Sequence, residues 1–420
     1  MQSTIKNNKS MKEEILAFIN DPGQLEKMYR SNKIQFKKEF EIIYPRVAGN
    51  PVADTWNERL NFESDSLNFG NFKEVAVIIG LALLAGFIAK IPSIFSLDEE
   101  VFYPRNIGFV IFPILAGYFA WKNNLSKGKI GVIAGVMLTG LIFINSLPKP
   151  ETDVLILSCI HLILVLWAVT GFSFAGTIKR EGEKRLGYLK FNGDLVVMTT
   201  LIVIAGGIMS GITIGLFELI GFKIEEVYFQ YVGIMGLAAS PIVATYLIRT
   251  NPQLVGKVSP VIAKIFSPLV LIMLLVFLSA MAFSGKDPYN DREFLIIFNA
   301  LLVGVMAIIF FSVAESSSGG KGRAERWILL LLSIVTIVVN SIALSAILFR
   351  ISEWGLSPNR AAVLGANVLI LINLIMVTAQ LYKVIRERAQ PSEVGAAIAK
   401  YLPVYVIWTA IVTFIFPLIF

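Results

Sequence analysis

From residue 75 to the last residue, apolar segments of about 20 residues alternate with short polar loops. A helix needs about 20 mostly apolar residues to cross a bilayer. The segments lie at 75–95, 106–122, 129–147, 153–175, 195–220, 228–248, 267–284, 294–314, 327–349, 361–382 and 402–420. The pattern predicts an all-α polytopic membrane protein with about eleven transmembrane helices in residues 74–420. The first two segments fit the apolar pattern least well, because the first contains Lys90 and Pro92 and the second contains Pro113.

Residues 1–73 are polar and contain no such segment. Two groups of apolar residues nevertheless recur there at helical spacing: Met11, Ile15 and Phe18, then Phe36, Phe40 and Ile43. Turn-forming residues interrupt the pattern at Asp21-Pro22-Gly23 and at Tyr44-Pro45. We expect a small cytoplasmic helical region that lies on the membrane and has little core of its own. No apolar stretch follows a basic one here, so no cleavable signal peptide is expected.

Composition supports contact with the lipid bilayer. Only 16% of the residues are charged and 55% are hydrophobic, against about 25% charged in soluble domains. The net charge of +7 does not indicate nucleic acid, because the chain has no basic run with interleaved aromatic residues. Cys159 is the single cysteine, so it cannot form an intrachain disulfide.

The basic residues predict the orientation of the helices. Loops on one side of the eleven-helix arrangement hold 18 Lys and Arg residues, and loops on the other side hold 7, or 8 with Lys90. Because cytoplasmic loops are enriched in basic residues, this asymmetry predicts a cytoplasmic N-terminus and an outer C-terminus. The acidic stretch Asp98-Glu99-Glu100 falls on the outer side.

Few residues in the apolar segments could carry chemistry. His161 is the single histidine and lies in the middle of a segment, so a zinc site would lack further histidine ligands. It could be a structural or gating residue, a proton-transfer residue or a catalytic one. Glycines recur every fourth residue at Gly207, Gly211 and Gly215, and again at Gly131 and Gly135. Such spacing lets helix backbones approach closely, so it predicts tight helix packing rather than a cofactor site. No cofactor and no metal are expected.

Polar residues collect in the half of the bundle that is predicted to be outer. Charged groups at this depth usually line a cavity or pair across helices, whereas interfacial ones extend to water. Arg360 and Asn367 share a helix face, and Arg350 and Glu353 are close enough to pair. With His161, the candidate substrate-binding residues are Glu218, Asn299, Arg350, Glu353, Arg360 and Asn367.

Five stretches together resemble a known family. They are Phe102 to Phe109, Asp153 to His161 with Trp167, Lys190 to Asp194, Asp291 to Asn299, and Glu353-Trp354-Gly355-Leu356-Ser357-Pro358-Asn359-Arg360. They resemble bacterial polytopic membrane proteins known only as domain of unknown function 4153, over residues 75–420. The resemblance implies a multi-pass location in the bacterial inner membrane and no particular reaction.

Three functions remain open from the sequence. The first is a transport-type or solute-binding membrane protein whose polar site opens to the outer face. The second is a non-transporting scaffold or sensor whose N-terminal helices dock a cytoplasmic protein partner. The third is a membrane-embedded transferase, which would need His161 and a pair of acidic residues. No hydrolytic motif is recognisable in the sequence, so the residues favour a non-enzymatic function and leave the question of an enzyme open.

Overall fold

A computed structural model describes residues 11–62, 71–148, 152–176, 181–219, 222–256, 258–283, 289, 292–316 and 323–420. The model is 90% helical and contains no strand among these residues. It divides into two compact units, Met1–Phe69 and Gly70–Phe420. The predicted all-α polytopic class is confirmed. Asp291, at the start of one quoted stretch, lies outside the described residues.

The first unit contains four short helices. They are α1 (Met11–Ala17), α2 (Pro22–Ser31), α3 (Lys33–Val47) and α4 (Pro51–Phe62). The predicted break at Asp21 is an N-cap, because the Asp21 carboxylate accepts hydrogen bonds from the backbone N–H groups of Gly23 and Gln24. The predicted end at Tyr44-Pro45 is wrong: α3 includes Pro45 and continues to Val47.

The first unit has a hydrophobic core of its own, which corrects the expectation from the sequence. Its fully buried side chains come from all four helices: Ile15, Leu25, Phe36, Phe40, Ile43 and Ala53, with Tyr29, Trp56 and Leu60 almost as buried. The ring of Phe36 contacts those of Tyr29, Phe40 and Trp56, with centroids 5.3–5.8 Å apart. Large aromatic side chains bury much apolar area each, so four short helices suffice to enclose a core.

An ion-pair cluster covers one side of this core. Glu26 pairs with Arg30 and with Arg59, each at 2.7 Å. The hydrogen bonds from Arg30 and Arg59 hold the pKa of Glu26 below its ordinary value. The Arg59 guanidinium also lies 4.6 Å from the centre of the Trp56 ring. This cluster therefore joins α2 to α4 across the aromatic core.

The second unit contains the long apolar helices. In order they are α5 (Phe72–Phe95), α6 (Glu99–Lys122), α7 (Lys127–Ser146), α8 (Asp153–Ala175), α9 (Glu181–Leu219), α10 (Glu225–Tyr228), a π-helix (Phe229–Gly233), α11 (Ile234–Thr250), α12 (Gln253–Gly256), α13 (Val258–Phe283), α14 (Arg292–Ser316), α15 (Arg323–Trp354), α16 (Pro358–Ile385), α17 (Pro391–Phe414) and α18 (Phe416–Ile419).

Ten helices among the described residues are long and apolar enough to cross a membrane. Helix α6 is also 24 residues long, but Pro104, Arg105 and Asn106 interrupt its apolar sequence. Counted with α6, the described part of the unit holds the eleven long helices that the sequence predicted. The chain is therefore an integral membrane protein in contact with the lipid bilayer.

Three predicted helix starts need correction. Helix α17 begins at Pro391 rather than near residue 402. Helix α9 begins at Glu181 rather than near residue 195, so its first turns extend beyond the apolar segment. Helix α13 begins at Val258 rather than at residue 267, and Pro268 lies inside it. A proline removes only one backbone hydrogen bond of a helix, and packing can outweigh that loss.

Side chains from neighbouring helices satisfy several helix ends. At the end of α8, Asn123 donates to the carbonyls of Ser173 and Phe174, both at 2.9 Å. Lys129 donates to Gly176 at 2.8 Å and Lys184 donates to Ala175 at 2.6 Å. The last carbonyls of a helix have no partner within the helix, and cations there also interact favourably with its dipole. These three side chains therefore fix where α8 ends.

The opposite end of the bundle uses Arg105, which the sequence placed in a loop. It lies inside α6, is 6% exposed, and donates to the carbonyls of Ile144 and Leu147 at 2.9 and 2.8 Å. The neighbouring Asn106 and Asn145 exchange two amide hydrogen bonds of 3.0 and 2.8 Å. Helix α6 is thus joined to the end of α7 by satisfied polar contacts.

Contrary to the prediction, the glycine stripes do not mediate packing against any of the residues that the structure describes. A Cβ atom added at Gly207, Gly211 or Gly215 would meet nothing within 4 Å, and the same holds for Gly131 and Gly135. These faces point away from the described helices. Close packing at glycine occurs elsewhere, at Gly365 against Trp408 and at Gly86 against Met235.

We predict that Phe36→Ala destabilises the first unit by about 3–5 kcal/mol, since it removes the centre of the aromatic core. The measurement is the rate of trypsin cleavage within residues 11–62 of the full-length protein in detergent. Phe18→Ala is the matched control, because Phe18 is 43% exposed and its loss leaves the core filled. Equal cleavage rates in the two variants would contradict a core centred on Phe36.

Candidate functional site

Two of the predicted site residues meet at the turn between α15 and α16. Arg360 donates to the carbonyls of Trp354 and Gly355 at 2.8 and 2.7 Å. The guanidinium groups of Arg350 and Arg360 lie 5.2 and 5.7 Å from the centre of the Trp354 ring. Gly355 has a φ of +74°, which favours glycine after a helix end. The Ser357 hydroxyl caps the start of α16. The contacts of Arg360 are therefore those of a helix cap.

The other predicted residues do not join this turn. Glu218 and Glu353 are exposed on the surface of the unit. His161 is partly buried, and its Nδ1 donates to the Leu157 carbonyl of its own helix at 2.8 Å. Asn299 is partly buried in α14. The described contacts do not link His161 or Glu218 to the other five residues. Asn367 is the exception among the seven, since it is 2% exposed in the interior of α16.

The structure instead assembles polar residues in the interior of α15, α16 and α17. Asn340 and Asn373 are 0% and 1% exposed. Asn340 precedes Trp354 by 14 residues and Asn373 follows Pro358 by 15, which places both about 21–22 Å from the turn at 1.5 Å per residue. The two asparagines therefore lie at the same depth on adjacent antiparallel helices.

Helix α17 adds aromatic side chains at this depth. The Tyr405 hydroxyl lies against the Asn373 carboxamide and donates to the Leu369 carbonyl at 3.4 Å. Tyr401, Tyr405 and Trp408 follow one another on a single face of α17, and the rings of Tyr401 and Tyr405 are 5.3 Å apart. We refer to Asn340, Asn373 and Tyr405 as the amide layer.

Several polar atoms in and beside the amide layer have no partner among the described residues. Neither side-chain polar atom of Asn340 makes a hydrogen bond, and the same is true of Nδ2 of Asn367 and Nε1 of Trp408. Burying a carboxamide without a hydrogen bond costs about 1–3 kcal/mol on protein scales. Buried polar groups of folded proteins are nearly always paired. This arrangement can donate and accept several hydrogen bonds to a molecule inside the bundle.

Asn340 and Asn373 are not among the site residues that the sequence predicted. Each is a lone carboxamide in an apolar segment, and polar residues within transmembrane helices mark functional positions. The prediction from the sequence considered such polar residues mainly in the outer half of the bundle, so it did not include these two asparagines. Their shared depth depends on the register of α15 against α16.

A cavity of about 370 Å³ lies elsewhere, between α6 and α8. Its wall is mainly apolar, with Ile107, Ile156 and Ile163 among its residues, and Glu100 and Arg105 also line it. Because Arg105 already donates to the end of α7, its guanidinium is occupied in capping. Among the described residues no group of three His, Cys, Asp or Glu could hold a metal ion.

Comparisons with protein families, with curated proteins and with solved structures find no match for this chain. The amide layer and the turn at Trp354 are therefore the features from which we infer a function.

We predict that Arg360→Ala lowers the stability of the α15–α16 turn by about 1–3 kcal/mol, because two carbonyls lose a charged hydrogen-bond donor. The measurement is thermal unfolding of the full-length protein in detergent. Glu353→Ala is the control, since Glu353 is exposed one residue before Trp354. If Arg360→Ala unfolded at the control's temperature, the capping role would be wrong.

Proposed function

We propose that this protein is a transport-type or solute-binding membrane protein, and that its polar site is the amide layer. The observation that carries the proposal is the pair of carboxamides, Asn340 and Asn373, at one depth inside the bundle. Asn367 lies six residues from Asn373 toward the Trp354 turn, or about 9 Å along the helix. That turn belongs to the face predicted to be outer, so the polar residues extend from the middle of the bundle toward the outer face.

The chemistry of the layer favours an uncharged polar solute. Residues 327–349, 361–382 and 401–420 contain no charged side chain, so α15, α16 and α17 supply only neutral donors and acceptors at this depth. Tyr401, Tyr405 and Trp408 add flat apolar surfaces. Ligand sites in proteins commonly combine mostly apolar walls with a few polar groups that orient the ligand. A molecule with hydroxyl or amide groups on a compact carbon skeleton fits this combination.

The cellular location of the protein is a separate part of the proposal. We propose a bacterial inner membrane, in line with the resemblance to domain of unknown function 4153 and with the distribution of basic residues. The orientation supported by the loop charges places the Trp354 turn on the outer side.

Cysteine labelling tests the proposed site. Cys159 is the single cysteine, so Cys159→Ala provides a background without thiols. In it we place Asn340→Cys, Asn373→Cys and, as a control, Ser341→Cys, which is exposed on the outside of the bundle. We expect a membrane-impermeant thiosulfonate to modify one or both interior cysteines from the outer side at least tenfold faster than the control, since thiolates form only where water enters.

The proposal fails if both interior cysteines react no faster than Ser341→Cys from either side of the membrane. Reaction from the inner side alone would contradict the outer opening while keeping the polar site. The unfolding temperature of each variant is first compared with that of the Cys159→Ala parent. A variant that is misfolded is excluded, because its cysteine would react for that reason alone.

A second candidate function rests on the first unit. It has a complete aromatic core, and it exposes Phe18 and Ile42 at 43% and 51%. A unit with its own core can present a surface to a protein partner independently of the long helices. This observation favours a scaffold or sensor that docks a cytoplasmic protein through the N-terminal helices.

Removal of residues 1–70 separates the two functions. If the unit docks a partner, we expect the truncated protein to reach the membrane but to restore less than a tenth of the growth lost on deletion of the whole gene. Full restoration by the truncated protein would exclude the scaffold function. Membrane levels are compared by immunoblotting against the full-length chain.

A further inference from the structure

A buried lysine lies between α5 and the π-helix, away from the amide layer. Lys90 is 5% exposed. Its ammonium group donates to the Ser93 hydroxyl at 3.1 Å and lies 4.7 Å from the centre of the Tyr231 ring. Among the described residues, no carboxylate forms an ion pair with it. A lysine in this position normally needs a partner of opposite charge, because burial removes water from its ammonium group.

The π-helix brings Gln230 and Tyr231 to Lys90. The segment Phe229–Gly233 adds one residue to a helical turn, with the Ile234 N–H bonded to the Phe229 carbonyl. Such insertions are rare and are frequent at functional sites. One turn away, Gly86 of α5 leaves room for Met235 of α11. This close contact fixes the two helices against each other on the side of Lys90 that faces the middle of the bundle.

Lys90 and the two polar groups beside it, Ser93 and Gln230, all have hydrogen-bond donors that can bind another molecule. The Ser93 hydroxyl oxygen accepts from Lys90 and, at 3.5 Å, from the side-chain amide of Gln230. Among the described residues its own proton has no acceptor, so the hydroxyl can donate to another molecule. The ammonium group has three hydrogens, of which Ser93 takes one, and Gln230 keeps a second amide hydrogen. A cation and an amide thus both lie within hydrogen-bond distance of the same hydroxyl, so the three groups are close enough to contact one small ligand.

The site is open to the surface of the protein. Ser93 is partly buried, while Gln230 and Tyr231 are exposed. Lys90 precedes the last residue of α5, Phe95, by five residues, which is about 7–8 Å along the helix axis. Tyr228, Phe229 and Tyr231 are neighbours, and aromatic residues of this kind concentrate at the level of lipid headgroups. A ligand that reaches Lys90 would therefore come from the membrane interface.

We propose that Lys90, Ser93 and Gln230 form a binding site for an anionic phosphate group. A phosphate carries several acceptor oxygens and a negative charge. It therefore supplies acceptors for all three donors and a counter-charge for the buried ammonium group of Lys90. The group could belong to an anionic phospholipid headgroup or to a free phosphate, and both would bind through the same contacts. The Tyr231 ring, whose centre lies 4.7 Å from the ammonium group, also stabilises its charge.

The test uses the full-length protein in maltoside detergent and its thermal unfolding midpoint. Phosphatidylglycerol, phosphatidylcholine and inorganic phosphate are added separately at equal ionic strength. We expect phosphatidylglycerol to raise the midpoint of the wild type by about 2–4 °C more than phosphatidylcholine does. A similar rise with inorganic phosphate would identify a site for the free anion, and a rise with phosphatidylglycerol alone would identify the lipid headgroup.

Substitutions of Lys90 test whether the rise in the unfolding midpoint depends on its ammonium group. Lys90→Met should abolish the rise, and Lys90→Arg should retain at least half of it. Without added anion, Lys90→Met should unfold at or above the wild-type midpoint, because it removes a buried charge. Lys223→Met is the matched control: this lysine is exposed near the start of α10 and its loss should leave the rise unchanged.

The double variant Ser93→Ala with Gln230→Ala gives a second test that keeps the charge of Lys90. It should lose most of the rise, because a phosphate would then have one donor group instead of three. The proposal is overturned if neither phosphatidylglycerol nor phosphate raises the wild-type midpoint above that with phosphatidylcholine. It is equally overturned if Lys90→Met, or the double variant, shows the same rise as the wild type.

Discussion

The hydrogen-bonding demand of polar groups in an apolar bundle is the constraint on which this structure depends. Water is scarce inside the bundle and lipid offers no donors or acceptors, so each polar group must find its partner in the protein. The helix ends show how this demand is met. Asn123, Lys129 and Lys184 reach the last carbonyls of α8, and Arg360 reaches those of α15. These contacts set the lengths of the helices and the places where the chain reverses.

The same need for hydrogen-bond partners distinguishes three buried polar residues. Asn340 and Asn367 are buried as completely as the apolar residues beside them but have unpaired side-chain atoms. Lys90 has a hydroxyl and an aromatic ring beside it but no carboxylate partner among the described residues. The three differ from Arg105, which is equally buried and fully engaged with the carbonyls of α7. Unsatisfied groups of this kind cost stability, and a bound molecule that pairs with them would recover that cost.

The predicted site residues illustrate how far a sequence can be read. The sequence predicts that Arg350 and Arg360 lie at a similar depth and belong to one binding site. The structure does bring them together, but they meet at the Trp354 ring and the end of α15. A charged residue at a helix end and one in a ligand site look alike in a sequence. Only the backbone carbonyls that Arg360 contacts distinguish them. Likewise, the stripe of Gly207, Gly211 and Gly215 has the spacing of a packing motif, yet no described helix lies against it.

The sequence by itself determined the number and type of the long helices, because a segment of 20 apolar residues has few alternatives to a transmembrane helix. It also located the break at Asp21, where local chemistry decides the backbone. It did not reveal the core of the first unit or the depth shared by Asn340 and Asn373. It also gave no sign of the approach of Gln230 to Lys90. Those features arise between helices, and the apolar pattern of a helix hardly specifies which neighbour it meets or at what register.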